Sequence, residues 1–411
     1  MQYLITFLLI IWISTATALE PIEIGGLVNE YSLNDHVEYV VDTHAELNKE
    51  QLIAGQLLAE QKWLTQNKET LSFGYSSSVY WLRFQLSNQS ENKLSHLLEI
   101  AYPVLDDIQI YIYDESDSLI DQYHLGDKVP FDNREIIHRN FLVPLDIPAK
   151  NTQTWLMRVE TSSAVQIPMI IWPERDFFVH DQTTVIWMGV YYGIMLIMTL
   201  YNLVVFFSVR ERSYLYYVFY VASMAVFLAS LKGLSFQYVW PEATTWNDSA
   251  IIVMLAGVIF FASLFARDFL GLYKGHIALY NLFGVVVAVS ACIIVAVNFI
   301  PYYILIKTLI ALAFMVICLV TYTGILRWTQ GFSAARLFTI AWSSMLLGGA
   351  ILALNKFNII PRNHFTENAV QLGSAIEVIL LSFALADRLN LEKAERYNAQ
   401  QQALAHERTA N

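Results

Sequence analysis

Seven apolar segments of membrane-spanning length, separated by short polar loops, constrain what the second half of this chain can become. They run from Thr184 to Ser208, Tyr214 to Leu231, Ala250 to Ala266, Ala278 to Phe299, Tyr303 to Leu326, Leu337 to Leu354 and Ala369 to Ala386. Crossing a bilayer core takes roughly 17 to 25 helical residues. Backbone in hydrocarbon must satisfy its own hydrogen bonds, so the segments read as an all-α seven-helix transmembrane bundle. Buried helices of a soluble protein are the alternative, but soluble cores rarely supply seven such runs in succession. Only 15% of the residues are charged, against about 25% in an ordinary soluble domain. The net charge of −11 comes mostly from acids in the N-terminal half. No cluster of Lys and Arg marks a nucleic-acid surface, so no nucleic acid is expected as a partner.

The N-terminus reads as a targeting signal. An apolar run from Leu4 to Ile13 precedes Ala16-Thr17-Ala18, a small-x-small pattern, and residues 1–18 are expected to be a signal peptide cleaved after Ala18. An uncleaved anchor is the alternative, since no Lys or Arg precedes the run. Cys292 and Cys318 both lie inside apolar segments. The exported part therefore has no disulfide, and its stability must come from its core.

Residues 19–180 change character. A helical stretch is expected from Leu47 to Trp63. Short alternating runs follow at Val79–Leu86, Leu97–Ile100, Ile108–Tyr113, Arg139–Val143, Thr154–Val159 and Pro168–Trp172, rich in β-branched and aromatic residues and separated by turn signals. These read as the strands of an all-β, jelly-roll-like domain. Sandwiches of this type offer aromatic rings to sugar faces, and Trp81, Trp155, Trp172, Tyr111 and Tyr113 are candidates; burial in the core is the ordinary reading of Trp81 and Trp155. Arg83, Asp127, Arg134, His138, Arg139 and Arg158 form the notable polar set. Arg83 and Arg158 lie within strands, where they either pair with acids such as Asp106 or Asp107 or contact an anionic ligand. The candidate ligand-binding set is thus Trp81, Arg83, Arg134, His138, Arg139, Arg158 and Trp172.

Basic residues in short loops set orientation. Arg210 and Arg212, Arg267 and Lys274, Arg327 and Arg336, and Arg388, Lys393 and Arg396 follow the odd-numbered segments. Together with the signal peptide they place the N-terminal domain in the periplasm and the C-terminus in the cytoplasm. Residues 389–411 read as a helical extension of the seventh segment, with Glu392 and Arg396 spaced i, i+4. The last segment has no Lys for a retinal Schiff base, and Gly348-Gly349 in the sixth permits close helix packing. No phosphate loop, kinase histidine box, cyclase Gly-Gly motif or metal-ligand cluster is recognisable, so neither an enzyme nor a cofactor is expected.

An ionisable residue inside a membrane helix is a functional candidate because a lone charge there is costly. Glu377 lies about 12 Å in from Ala369, and Lys307 roughly 6 to 8 Å in from the same side, at about 1.5 Å per residue. The two are expected to form an intramembrane coupling pair if their helices are neighbours. Otherwise Lys307 snorkels to the headgroups and Glu377 is simply protonated; Ser343, Ser344 and tyrosines of the first two helices are the other partners open to Glu377.

Several motifs resemble those of the bacterial seven-transmembrane receptors with diverse intracellular signalling modules. In the exported part they are Tyr80-Trp81-Leu82-Arg83 with Leu86 and Asn88, and Glu99-Ile100-Ala101-Tyr102-Pro103 with Leu105-Asp106. Gly126-Asp127 with Pro130-Phe131 and Arg134, His138-Arg139 with Phe141, and Leu156 with Arg158 continue the series. In the membrane part they are Tyr201-Asn202, Arg212-Ser213-Tyr214-Leu215, Phe265-Ala266-Arg267, Gly373, Glu377 and Ala384-Leu385-Ala386-Asp387-Arg388. The resemblance implies an inner-membrane sensory receptor, multi-pass, with residues 19–180 as the sensing domain and 181–388 as the transmembrane domain. Such receptors usually continue into a histidine kinase, diguanylate cyclase or phosphatase, and no such module is recognisable here. The expected partners are a small-molecule ligand, carbohydrate-like in the first instance, the lipid bilayer, and a cytoplasmic signalling module in cis or in trans; homodimerisation stays open. A transporter or channel with an accessory domain, and a membrane-tethered carbohydrate-binding module, are the alternatives.

Overall fold

The computed structural model describes residues 20–25, 30–57, 61–65, 71–273, 275–356, 359–360 and 364–410. The expected signal peptide lies outside them. An all-β region is followed by seven long helices, as the sequence patterns lead one to expect. Its strands are β1 (Ile22–Ile24), β2 (Tyr31–Ser32), β3 (Glu38–Asp42), β4 (Leu64–Thr65), β5 (Leu71–Tyr75), β6 (Val79–Asn88) and β7 (Leu94–Ile100), then β8 (Asp107–Tyr113), β9 (Leu119–Leu125), β10 (Phe141–Ile147), β11 (Asn151–Glu160), β12 (Ala164–Ile167) and β13 (Met169–Pro173).

The larger sheet runs β4-β3-β6-β11-β8-β9, with β1 parallel to β6; the smaller runs β10-β7-β13-β2, and β5 pairs with β12. Period-two alternation decides which side chains meet. Leu82, Phe84 and Leu86 of β6, Trp155, Met157 and Val159 of β11, and Ile108 and Ile110 of β8 point one way. They share a core with Leu98 and Ile100 of β7, Phe141, Val143 and Leu145 of β10, and Met169 and Ile171 of β13. The expected helix from Leu47 to Trp63 shortens to Lys49–Ile53, begun by a capping box between Asn48 and Gln51. Gly55 at φ +71° follows, and Leu64 and Thr65 pair with β3 instead.

The long helices are α1 (Glu174–Val209), α2 (Arg212–Leu231), α3 (Thr244–Phe269), α4 (Ile277–Ala296), α5 (Tyr302–Thr329), α6 (Ala334–Lys356) and α7 (Ala369–Ala410). All seven are long and apolar enough to cross a membrane. No loop separates the β-domain from the bundle: β13 ends at Pro173 and α1 starts at Glu174. Proline suits this junction because its missing N–H and fixed φ favour a helix start. Phe177, one turn into α1, packs with Leu97, Leu142 and Trp172 of the β-domain. Val104 joins the core of the bundle, with Tyr75 and Tyr102 packed against it.

Helices α6 and α7 pack most closely where they carry glycine. A Cβ on Gly348 would lie 2.5 Å from the Ala369 carbonyl oxygen, and one on Gly373 would lie 2.7 Å from that of Ser344. Of the expected pair Gly348-Gly349, only Gly348 makes this approach; Gly349 faces open space.

A fragment spanning residues 19–180 contains the complete β core and should fold as a soluble, mainly β unit by circular dichroism. Trp155 is fully buried, so Trp155→Ala should lower the stability of that fragment by roughly 3–5 kcal/mol in urea titration. A loss below 1 kcal/mol would contradict the packing described.

Candidate functional site

Three groups of side chains stand out. The first is the outer face of the larger sheet. Register places Trp81 opposite Arg158, and Arg83 opposite Leu156. It sets Gln109 beside Arg158 and Tyr111 beside Leu156 on the next strand. Trp81, Arg83, Arg158 and Tyr111 therefore share one face. Trp81 is buried against Tyr111, with ring centroids 6.5 Å apart. Arg83 donates to Glu38 at 2.7 Å and lies 4.2 Å over the Trp63 ring. Arg158 bonds Asp107 at 2.9 Å, one of the acids expected for it, and Glu160 at 2.6 Å. Trp172 is elsewhere: it is buried, donates to Glu99 at 2.9 Å, and covers His180 rather than presenting an open ring face.

The second group forms the seam between the β-domain and the bundle. Three members of the expected ligand set, Arg134, His138 and Arg139, meet here. Arg139 donates to Asp181 of α1 at 2.5 Å, and His138 Nε2 lies 3.2 Å from the same carboxylate. Arg134 donates to the carbonyl oxygens of His138 and Arg139 and stacks on Phe131, Phe141 and, across the seam, Phe236. Burial lowers its guanidinium to about 10, so it stays cationic at neutral pH. The Phe131 N–H donates to the Pro241 carbonyl, closing the contact through backbone.

Gly126 shapes this seam. Its φ is +140°, and a Cβ there would fall 2.0 Å from the Asp106 carbonyl oxygen; only glycine tolerates both conditions. The close approach lets the Asp127 N–H reach Leu105 O and the Lys128 N–H reach Asp106 O. Asp127 thereby comes beside Asp106 and meets Asn247 of α3, which donates to its Oδ2 at 3.1 Å. Lys128 is bonded to Asp248 and lies 4.0 Å from Asp106. Asp106, Asp127 and Asp248 come together with one carboxylate oxygen each inside 4.8 Å of the others. The sequence gives no hint of this cluster, because its members carry no common motif and sit on separate elements.

Asp127 is 1% exposed. Burial pushes its carboxyl up to about 7, the Asp106 carboxylate adds to the rise, and Lys128, Asn247 and Arg134 oppose it.

The third group lies inside the bundle. Glu377 is fully buried, and Tyr220 of α2 donates to its Oε2 at 2.8 Å. Tyr217 donates to the Val378 carbonyl and Tyr214 to that of Leu385. Three residues apart, these tyrosines form one stripe of α2 along α7. Tyr191 and Asn202 of α1 meet Ser374 and Ser382 of α7. The expected Glu377–Lys307 pair does not form. Lys307 is exposed and points over the rings of Tyr75 and Tyr303. Helix α7 packs chiefly on α6, α1 and α2, whereas α5 packs on α3, α6 and α4. About halfway along α7, Arg388 bonds Ser213, the Asp268 carbonyl and Glu392, so Glu392 pairs four residues back toward Arg388.

The description "7TM diverse intracellular signalling" belongs to a family model that matches residues 184–388. A second model, "7TMR-DISM extracellular 2", matches residues 34–173. No protein with a curated description gives a significant match.

Two measurements test these sites. Asp127 is raised above its unfolded value near 3.8, so its contribution to stability is full below about pH 4 and is lost as pH rises through about 7. In chelating buffer, the melting temperature of Asp127→Asn relative to the parent should therefore climb between pH 5 and 7.5; a difference constant with pH would contradict the burial. Tyr220→Phe removes the donor to Glu377 and should cost about 1–2 kcal/mol. Tyr220→Phe combined with Glu377→Leu should recover part of that loss, since no buried polar group is then left alone.

Proposed function

The chain belongs to the family of seven-transmembrane receptors with diverse intracellular signalling, and we propose that it is a sensory receptor of a bacterial inner membrane. The β-domain faces the periplasm, binds a small ligand and passes its state through the bundle to a signalling module in the cytoplasm. The observation that carries this reading is the pair of uninterrupted connections at the two ends of the bundle. Strand β13 runs into α1 without a loop, and α7 continues to Ala410, well beyond the apolar segment ending near Ala386. A shift of the β-domain therefore has a stiff route in, and α7 has a stiff route out.

Orientation rests on the loop charges. Arg210, Arg212, Arg267, Arg327 and Arg336 all lie at one end of the bundle, opposite the β-domain, and basic loops stay cytoplasmic. A polar, carbohydrate-like ligand would meet the rim of the outer sheet face, where Arg83 lies over Trp63 and Arg158 shares the face with Tyr111, since Leu47, Leu52 and Trp63 cover its centre at Trp81 and Leu156. His138, Arg134 and Arg139 act instead at the seam, as transmitters of the bound state.

A reporter active only in the periplasm should work when inserted near Glu242 and fail near Gly331. The opposite result at both positions would overturn the orientation. With a diguanylate cyclase module joined after Asn411, Arg139→Ala should change the basal cyclase output by severalfold at equal protein level. Output that ignores this substitution, and also ignores Glu377→Gln, would remove the signalling reading.

A further inference from the structure

We propose that Asp106, Asp127 and Asp248 form a divalent-cation site, calcium in the first instance, that joins the β-domain to the helical bundle. This goes beyond the receptor reading and does not depend on it, because cation binding is measured directly.

Geometry comes first. Each of the three carboxylates offers one oxygen, and these lie within 4.8 Å of one another. Oxygen ligands surround calcium at about 2.3–2.6 Å, so two of them on opposite sides of one ion stand roughly 4.6–5.2 Å apart. Oxygens no more than 4.8 Å apart can reach one such ion together. Carboxylates are also the right donor class, since calcium takes hard oxygen ligands.

Charge is the second observation. Asp127 is buried, and its Oδ1 has no hydrogen-bond partner among the described residues. Lys128 supplies one ammonium, which is bonded to Asp248 and reaches Asp106 at 4.0 Å. Arg134 spends its Nη1 on the carbonyls of His138 and Arg139, and its Nε and Nη2 make no hydrogen bond among the described residues. Asp106 and Asp248 thus share the one ammonium within 4.0 Å, while Asp127, the most deeply buried of the three, keeps an oxygen without a hydrogen-bond donor among the described residues. An isolated buried carboxylate oxygen is costly and calls for a cation or donor.

Access is the third. A cavity of about 180 Å³ opens beside the cluster, lined by Lys128, Asp248, Thr245, Ser249 and Tyr302 among others. It reaches the cluster at Asp248 and Lys128, and since a single water needs roughly 10–15 Å³ of such volume, it has room for waters on the Asp248 side of a bound ion. Lys128, whose ammonium meets Asp248 and Asp106 and whose side chain lines the same cavity, is the cation a bound ion would displace. The site spans two bodies: Asp106 and Asp127 come from β-domain loops held by Gly126, and Asp248 comes from the first turns of α3. A bound ion would tie them more firmly than Lys128 does.

The test uses the intact chain in nanodiscs of zwitterionic lipid, stripped of metal and titrated with calcium chloride. We expect a saturable rise in melting temperature that is lost in both Asp106→Asn and Asp248→Asn. Lys128→Met should tighten the apparent calcium affinity severalfold, because it removes the competing ammonium. Terbium is a luminescent stand-in for calcium. Trp240 donates to Asn247, the neighbour of Asp248, so sensitised terbium emission should appear and be quenched by calcium. Should either Asp→Asn variant fail to fold, the Lys128→Met and terbium measurements still decide the matter. The proposal is overturned by the absence of saturable binding in both the parent and Lys128→Met, or by binding that persists in folded Asp106→Asn and Asp248→Asn.

Discussion

A charge taken out of water must keep its partner, and this requirement governs the junction on which the whole molecule turns. Arg139 and His138 of the β-domain share the Asp181 carboxylate of α1, the same helix into which β13 runs directly. The ionic clamp and the covalent connection therefore constrain the same helix from two sides. Removing one partner of such a buried group typically costs 3–5 kcal/mol, because the survivor is left in a poor solvent. Arg134 is held differently, by two backbone carbonyls and stacked rings. Its position depends on Phe236, on the short helix Leu234–Tyr238 within the loop between α2 and α3, so it registers that loop as well. At Gly233 that loop comes so close that an added Cβ would lie 2.9 Å from the Arg139 carbonyl oxygen and 2.9 Å from Pro103.

Inside the bundle the logic changes. Lipid tails are as apolar as leucine, so helix association there draws on close packing and on hydrogen bonds between helices. The α6–α7 contact uses the first, at Gly348 and Gly373. The α2–α7 contact uses the second, through the tyrosine stripe. Two of its hydroxyls bond carbonyls of α7 that already serve the helix ladder, and the third meets Glu377. The α7 helix is thus pressed on one side and tethered on the other.

Much of this was legible in the sequence, and the failures have definite physical reasons. Hydropathy located the membrane segments because each needs a long apolar run whatever its neighbours. Alternation located β6, β8 and β11 because one face of each is buried in a common core. It missed β9, which is exposed along nearly its whole length and so shows no apolar period. The pairing of Arg158 with Asp107 was anticipated, since a charged residue within a strand needs an acid nearby; Arg83 found Glu38 instead, on a strand whose place was not foreseen. Glu377 and Lys307 were placed at compatible depths, yet they do not meet. Hydropathy gives the depth of a residue in a helix, but not the direction around the bundle in which it points. The acidic cluster at the seam was invisible for the same kind of reason: a glycine turn and the start of α3 bring its members together, and neither is written in spacing.

The length of α7 has a mechanical consequence. At about 1.5 Å per residue its 42 residues form a rod roughly 63 Å long. Such a rod transmits twist and translation together, since each residue of slippage along the axis amounts to about 100° of rotation. The angular phase of anything attached to its far end is therefore set by the integer number of residues between the Tyr220 contact and the attachment point. A one-residue insertion after Arg388 would leave the bundle intact and turn the attached body by more than a quarter of a circle. In a device of this type, linker length acts as an angular setting rather than as a measure of reach.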